Sequence, residues 1–274
     1  MRWYYIKIKQ GSLVTRKSYQ NDIVFKVSRI IGREDKAIAI LKGISIRIEA
    51  DSSLEDLVLL DKNETKKIDR ELEEEILTRI GNNKRAVRAN NLYIGRILHL
   101  DGDKRYSLKS AHFYRRAGLD AIAQYIPERM QSRMVIPLLQ KYNPDILIIT
   151  GHDAMYKKGS DRNNIYNYRN SANFIRAVKE ARRWGPTSEQ LVIFAGACQS
   201  FYEAIMMAGA DFASSPARIL IDFIDPLILA ELIAKTDGNT IIHGYDIANR
   251  IKEGKDAING NKVRGKRRII ESSI

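Results

Sequence analysis

Over the first sixty residues, short apolar stretches recur between polar or glycine-containing breaks. Leu13-Val14, Ile23-Val24-Phe25 with Val27, and Ala37 to Leu41 are separated by Tyr19 to Asp22 and by Gly32 to Lys36. After Gly43, Ile44, Ile46 and Ile48 alternate strictly. Period-two alternation with frequent turns predicts a small β-rich domain over 1–60, an antiparallel sheet or SH3-like β-barrel. The rhythm then changes. Lys62 to Arg79 is charged, with Ile68, Leu72, Ile76 and Leu77 at helical spacing, which predicts one amphipathic helix. Gly81, Asn82 and Asn83 end it, and the basic run Lys84 to Asn91 completes a charged connector over 61–91.

From residue 92 to the end, strand and helix patterns alternate. Leu92 to Leu100, Ala121 to Ile126, Ile146 to Thr150 and Leu191 to Ala195 are strand candidates. Helical patterns fall at Lys104 to Gly118, Pro127 to Tyr142, Asn170 to Trp184 and Phe201 to Ala208. The runs ILIIT and LVIFA are apolar without interruption, as strands buried on both faces are. The pattern predicts an α/β domain with a parallel sheet covered on both sides.

Composition adds bounds. The 274 residues are 44% hydrophobic and 29% charged, as in a globular protein. No apolar run reaches the roughly 18 residues of a membrane span, and MRWYYIKIKQ has no signal-peptide core, so no membrane partner and a cytoplasmic site of synthesis are expected. The net charge of +13 would suit an acidic polymer, but the chain shows no helix-turn-helix, RNP or zinc-finger pattern, which argues against a nucleic-acid partner. The one cysteine, Cys198, excludes an internal disulfide and a cysteine-built zinc site.

Chemistry gathers at strand ends, where open parallel sheets bind ligands. The first reads His99-Leu100-Asp101-Gly102-Asp103. The next, after ILIIT, reads Gly151-His152-Asp153. The last, after LVIFA, reads Gly196-Ala197-Cys198-Gln199-Ser200. A thiol at a strand-to-helix turn gains thiolate character from the helix dipole, and the small residues before it let a substrate backbone approach. His152, on the neighbouring end, is placed to serve as its base. The Cys198 and Gly151 amides are the candidate oxyanion donors. In a 2-1-3-4 strand order Asp101 and Asp103 lie beside His152 and can bind a basic substrate side chain, although Asp-Gly-Asp is also good turn chemistry. Asp211, Asp222 and Asp225 are reserve candidates. Tyr166 and Tyr168 are candidates to line a substrate groove, or are packed loop tyrosines. His99 is either a supporting group or a strand-end histidine, and His243 is a weaker base candidate.

Two other classes compete. His99, Asp101, Asp103, His152 and Asp153 could ligate two divalent ions in a metal-dependent hydrolase, which leaves Cys198 idle. Charge and β-domain alone would suit a non-enzymatic basic coat-assembly or nucleic-acid-binding protein. Histidine after one apolar strand and cysteine after the next resembles the caspase-like peptidases, except that Gly151 here precedes the histidine instead of following it. A closer resemblance runs over the whole chain. The β-rich start, HLDGD, PDILIITGHD, YRNSANF and LVIFAGACQS resemble the sporulation-specific YabG peptidases. That family carries cysteine where Ser110 stands, which sets this position outside catalysis. The resemblance implies a cofactor-free cysteine endopeptidase of the sporulating mother cell. Its implied protein substrates are spore-coat and related proteins cleaved after arginine. An arginine-directed enzyme would also nick itself in the polar segment that holds Lys84, Arg85 and Arg88, releasing about the first 85 to 88 residues.

Overall fold

Polar interruptions in the first sixty residues divide a run of short strands, as a computed structural model of the protein describes for residues 8–32, 36–44, 46–80, 92–156 and 161–269. The chain falls into two compact units that divide between Glu75 and Ile76. The first unit carries β1 (Leu13–Arg16), β2 (Phe25–Ile31), β3 (Ile38–Gly43), β4 (Glu49–Ser53) and β5 (Leu57–Leu59), all paired antiparallel in the order β4-β3-β2-β1-β5. Val14, Phe25, Val27, Ala39, Leu41 and Leu57 form its core. The alternating Ile44, Ile46 and Ile48 are not a strand. They belong to a turn closed by Gly43 N–H on the Ile48 carbonyl (2.9 Å) and Ile48 N–H on the Ile46 carbonyl (2.8 Å). The strand that follows, β4, is polar and turns only Ser52 fully inward, so its sequence carries no apolar signal.

Helix α1 (Lys62–Arg79) has the bounds that its spacing predicts and leads into the second unit. The connector segment 81–91 lies outside the described residues. The expected strand Leu92 to Leu100 is two, β6 (Leu92–Tyr93) and β7 (Ile97–Asp101), split at Gly95, where a side chain would strike Lys266 Cβ at 2.5 Å. There follow α2 (Lys104–Arg116), β8 (Ala121–Tyr125), α3 (Glu128–Tyr142), β9 (Ile146–Thr150), α4 (Ser171–Trp184), β10 (Val192–Ala195), α5 (Tyr202–Met207), β11 (Phe212–Ser214), α6 (Asp225–Lys235), β12 (Ile241–Ile242), α7 (Gly244–Ala248), β13 (Ile258–Gly260), β14 (Val263–Arg264) and β15 (Arg268–Ile269).

The large sheet has the order β13-β11-β10-β9-β7-β8, parallel except for β13 against β11. Its first four strands in sequence thus follow the 2-1-3-4 order. Alternation along each strand sends Leu98, Leu100, Leu147, Ile149, Ile193 and Ala195 to one face, where they pack on α3, α4 and α5. Burying each leucine or isoleucine there contributes about 1.5–3 kcal/mol. The intervening residues, His99 among them, face the other side, toward α2 and α6. The strand order reverses between β7 and β9, and open α/β sheets bind ligands outside the carboxyl ends of the strands at such a switch point. Among the described residues no helix is long and apolar enough to cross a membrane.

Candidate active site

Hydrogen-bonded register fixes which loop positions begin side by side. Leu100 pairs with Ile149 across β7 and β9, and Ile149 pairs with Ala195 across β9 and β10. Asp103, His152 and Cys198 each lie three residues beyond that shared rung. The ladder continues into the loops, with Gly102 N–H on the Thr150 carbonyl (2.9 Å) and Gly196 N–H on the Ile149 carbonyl (3.0 Å). Parallel neighbours are about 4.8 Å apart.

His152 Nε2 lies 2.9 Å from Asp103 Oδ2. An ionised carboxylate only accepts, so the neutral imidazole carries its proton on Nε2 and its lone pair on Nδ1. The histidine backbone is pinned on both sides: its N–H donates to Glu128 Oε1 (2.8 Å), and Asn170 Nδ2 donates to its carbonyl (2.7 Å). Asp103 uses its second oxygen to cap α2, accepting from Arg105 N–H at 2.8 Å. Gly102 and Gly151 make room for the Glu128 carboxylate, which would meet a Cβ at 2.2 and 2.4 Å respectively. That close approach explains the glycine before His152.

Asp101 has no exposed surface and accepts from Thr150 Oγ1 (3.0 Å) and Asp103 N–H (2.8 Å). Thr150 spends its one proton there, so it accepts from His99 Nε2 (2.7 Å), while His99 Nδ1 accepts from the Tyr114 hydroxyl (3.1 Å). This buried relay occupies His99. The substrate-binding expectation for Asp101 and Asp103 therefore meets a physical obstacle: one is sealed in, and the other holds His152. Tyr168 is 4% exposed, stacked on Phe201 at 5.1 Å, with its hydroxyl between the Arg162 carbonyl (2.8 Å) and Arg218 Nε (2.9 Å). It is a packed loop residue. Tyr166 is 86% exposed and available to a partner. Among the described residues no three His, Cys, Asp or Glu side chains gather as metal ligands. Four residues of that expectation, His99, Asp101, Asp103 and His152, are joined in one hydrogen-bonded chain through Thr150 and the Asp103 N–H, and Asp153 lies in another. His243 caps the short α7 and stacks on Tyr245.

Cys198 lies in the turn after β10 and is 3% exposed. The helix-terminus environment expected for it is absent, because α5 starts only at Tyr202. Backbone from downstream takes that place. Ile221 N–H donates to the sulfur at 3.3 Å, and the thiol faces the Ile221 carbonyl at 3.8 Å. Gln199 N–H reaches the Ile219 carbonyl (3.1 Å) and Ser215 Oγ (3.0 Å), so residues 215–221 form a strap across the turn. The strap kinks through positive φ at Ser215 (61°) and Arg218 (60°). Arg218 clamps it with bonds to Glu203, Tyr168 and the Ser215 and Pro216 carbonyls. Gly196 has φ of 117°, and a Cβ there would lie 2.4 Å from Ser214 Oγ. Its smallness is required by this turn. Gly196→Ala should cost about 2–3 kcal/mol of stability, measurable by urea denaturation.

Asp153 points away from the His152 ring, into the cysteine turn. It accepts from Ser171 Oγ, Ser200 Oγ (2.9 Å), Asn170 N–H (2.7 Å) and Ala154 N–H (2.9 Å). Ser200 in turn accepts from Ala197 N–H (2.9 Å), and Ser171 from Phe201 N–H (2.8 Å). One carboxylate thus ties the backbone on both sides of Cys198. Burial pushes its carboxyl above the usual carboxylate range, a rise that the four donors offset only in part. This role was missed in the sequence, though GHD supplies the acid, YRNSANF two of its donors and ACQS the serine that links it to the Ala197 N–H. Asp153→Ala strands two buried hydroxyls and should lower stability by about 3 kcal/mol or more, read by guanidinium denaturation. Among the reserve acids, Asp211 is bound by Arg182 and by Ile193 N–H (2.8 Å) inside the fold. Asp222 and Asp225 meet Arg79.

Comparison with known proteins extends over nearly the whole chain. The YabG peptidase U57 family matches residues 9–271. The sporulation-specific protease YabG of Bacillus subtilis (strain 168) is 37% identical over 285 residues, covering 94% of this chain and 96% of that protein. No solved structure matches. A pinned histidine–aspartate pair and a braced cysteine at adjacent strand ends accompany that similarity, and the chain belongs to the YabG peptidase U57 family.

Proposed function

We propose that this protein is a cysteine endopeptidase of sporulation in which Cys198 is the nucleophile, His152 the base and Asp103 the group that orients it. The observation that carries the reading is the His152–Asp103 contact of 2.9 Å, set on the same rung offset as Cys198. Nδ1 of His152 takes the thiol proton, and the thiolate adds to the scissile carbonyl carbon. The resulting oxyanion is held by the Cys198 and Gly151 amides. His152 returns the proton to the leaving amine as the C–N bond breaks, leaving a thioester. A water then gives its proton to Nδ1 and attacks the thioester, which releases the carboxylic acid and regenerates the thiol.

The caspase-like reading of the α/β unit rests on the histidine and cysteine following adjacent parallel strands. Cleavage after arginine, spore-coat and related substrates and a mother-cell location rest on the resemblance to the family, and self-processing after Arg85 or Arg88 rests on the polar, basic sequence of the connector. The test is to incubate wild type and Cys198→Ala with an unstructured arginine-containing protein and identify products by mass spectrometry. Products ending in arginine, absent with Cys198→Ala, support the reading. Chelator-sensitive, thiol-reagent-insensitive cleavage would overturn it. The same spectra report self-processing: if Cys198→Ala is cut at Arg85 or Arg88 as the wild type is, another protease made the cut.

A further inference from the structure

The strap that reaches Cys198 continues into an acidic pair that already holds a guanidinium. Ile221 N–H touches the sulfur at 3.3 Å, and Asp222 is the next residue. Arg79 Nη2 lies 3.1 Å from Asp225 Oδ1, and Nη1 lies 3.5 Å from Asp222 Oδ2. The two carboxylates are positioned by backbone, with Asp222 N–H on Asp225 Oδ2 (3.0 Å) and Ile224 N–H on Asp222 Oδ1 (3.4 Å). Between them Phe223 packs on Tyr106 (5.5 Å between ring centroids), and Tyr106 packs on His152 (6.2 Å). One five-residue segment therefore touches the thiol, the aromatic beside the histidine and an arginine side chain.

We infer that Asp222 and Asp225 are the specificity-determining carboxylates for a substrate arginine, and that Arg79 occupies their seat as an internal competitor. The inference rests on the peptidase reading above. A fork held by two carboxylates matches a guanidinium and not a lysine ammonium, whose point charge cannot span both. Asp225 is 1% exposed. Burial and the neighbouring Asp222 push the Asp225 carboxyl up to about 7 while Arg79 holds it down, so a bound cation favours the ionised pair over a protonated one. Arg79 fills it without being cut. Its backbone is helical, with Ile80 N–H on the Ile76 carbonyl at 2.9 Å and Ile80 1% exposed. A substrate arginine on an extended segment must displace it.

The experiment compares full-length wild type, Arg79→Met, Asp225→Asn and Asp222→Asn on matched peptides with arginine, lysine or norleucine before the scissile bond. Arg79→Met keeps the aliphatic stem and empties the seat, so the arginine-over-norleucine ratio of kcat/KM should rise several-fold, mainly through KM. Asp225→Asn should lower that ratio by about one to two powers of ten. Agmatine, a free guanidinium probe, should inhibit Arg79→Met more strongly than wild type. A purely structural ion pair would depress all three peptides alike and leave the ratio at its wild-type value, and that result would overturn the inference. Should Asp225→Asn fail to fold, Arg79→Met and Asp222→Asn decide alone by the same criterion. Absence of any Cys198-dependent cleavage in wild type would instead remove the peptidase reading, and the seat with it.

Discussion

Cys198→Ala should lower kcat on an arginine peptide by about ten-thousand-fold or more, and His152→Ala by a similar factor. In the proposed mechanism the two act as a unit. Without the thiol there is no covalent intermediate, and without the imidazole the buried thiol has no base and the leaving amine no acid. The double variant should be scarcely slower than either single one, since groups acting together are not additive. Both variants should fold. Cys198 is a small side chain whose backbone is braced by Ser200, Ser215 and Asp153, and His152 is held through its main chain by Glu128 and Asn170. Single-turnover rates and circular dichroism on the two variants check this. Near wild-type turnover by either one would end the proposed dyad.

Asp103→Asn carries the second large effect, an expected loss of about a hundred- to ten-thousand-fold in kcat with the fold retained. Asparagine keeps the shape and the oxygen that caps α2, so Arg105 N–H remains satisfied. The other end of the amide decides the result. If its NH2 faces His152 Nε2, that nitrogen must accept, the proton moves to Nδ1, and the lone pair meant for the thiol is lost. KM should move little, because Asp103 contacts the histidine and not the substrate in this scheme. A variant that keeps kcat but loses arginine preference would return Asp103 to the substrate pocket.

Some of this was legible in the sequence, for physical reasons that can be named. ILIIT and LVIFA end as strands within a residue of expectation, because burial on both faces demands an unbroken apolar run. The helices α1, α3 and α4 follow from periodicity and from their terminating residues, such as Asn143, which adopts the left-handed conformation after α3. Strand β4 was hidden, since an end strand with only Ser52 fully buried needs no apolar pattern. The environment of Cys198 was hidden too. It is built by Ile219 and Ile221, more than twenty residues downstream, through left-handed turns at Ser215 and Arg218 that lack glycine. Asp103 was placed beside the strand end of His152, but its choice of that histidine as partner depends on side-chain direction, which spacing does not encode.

If the proposed dyad holds, the equal offset of Asp103, His152 and Cys198 from one rung makes ladder register part of the chemistry. Adding or deleting one residue within β9 would shift His152 by about 3.3 Å and invert which face each β9 side chain meets. Apolar residues lie on both faces of that strand, so such a slip could leave a protein that still folds and yet cannot cleave. Length changes in the loop 186–190, which enters β10 from its opposite end, would leave the offset intact. Tolerance to insertion should therefore be polarised across this sheet, permissive at the amino edge and closed at the carboxyl edge.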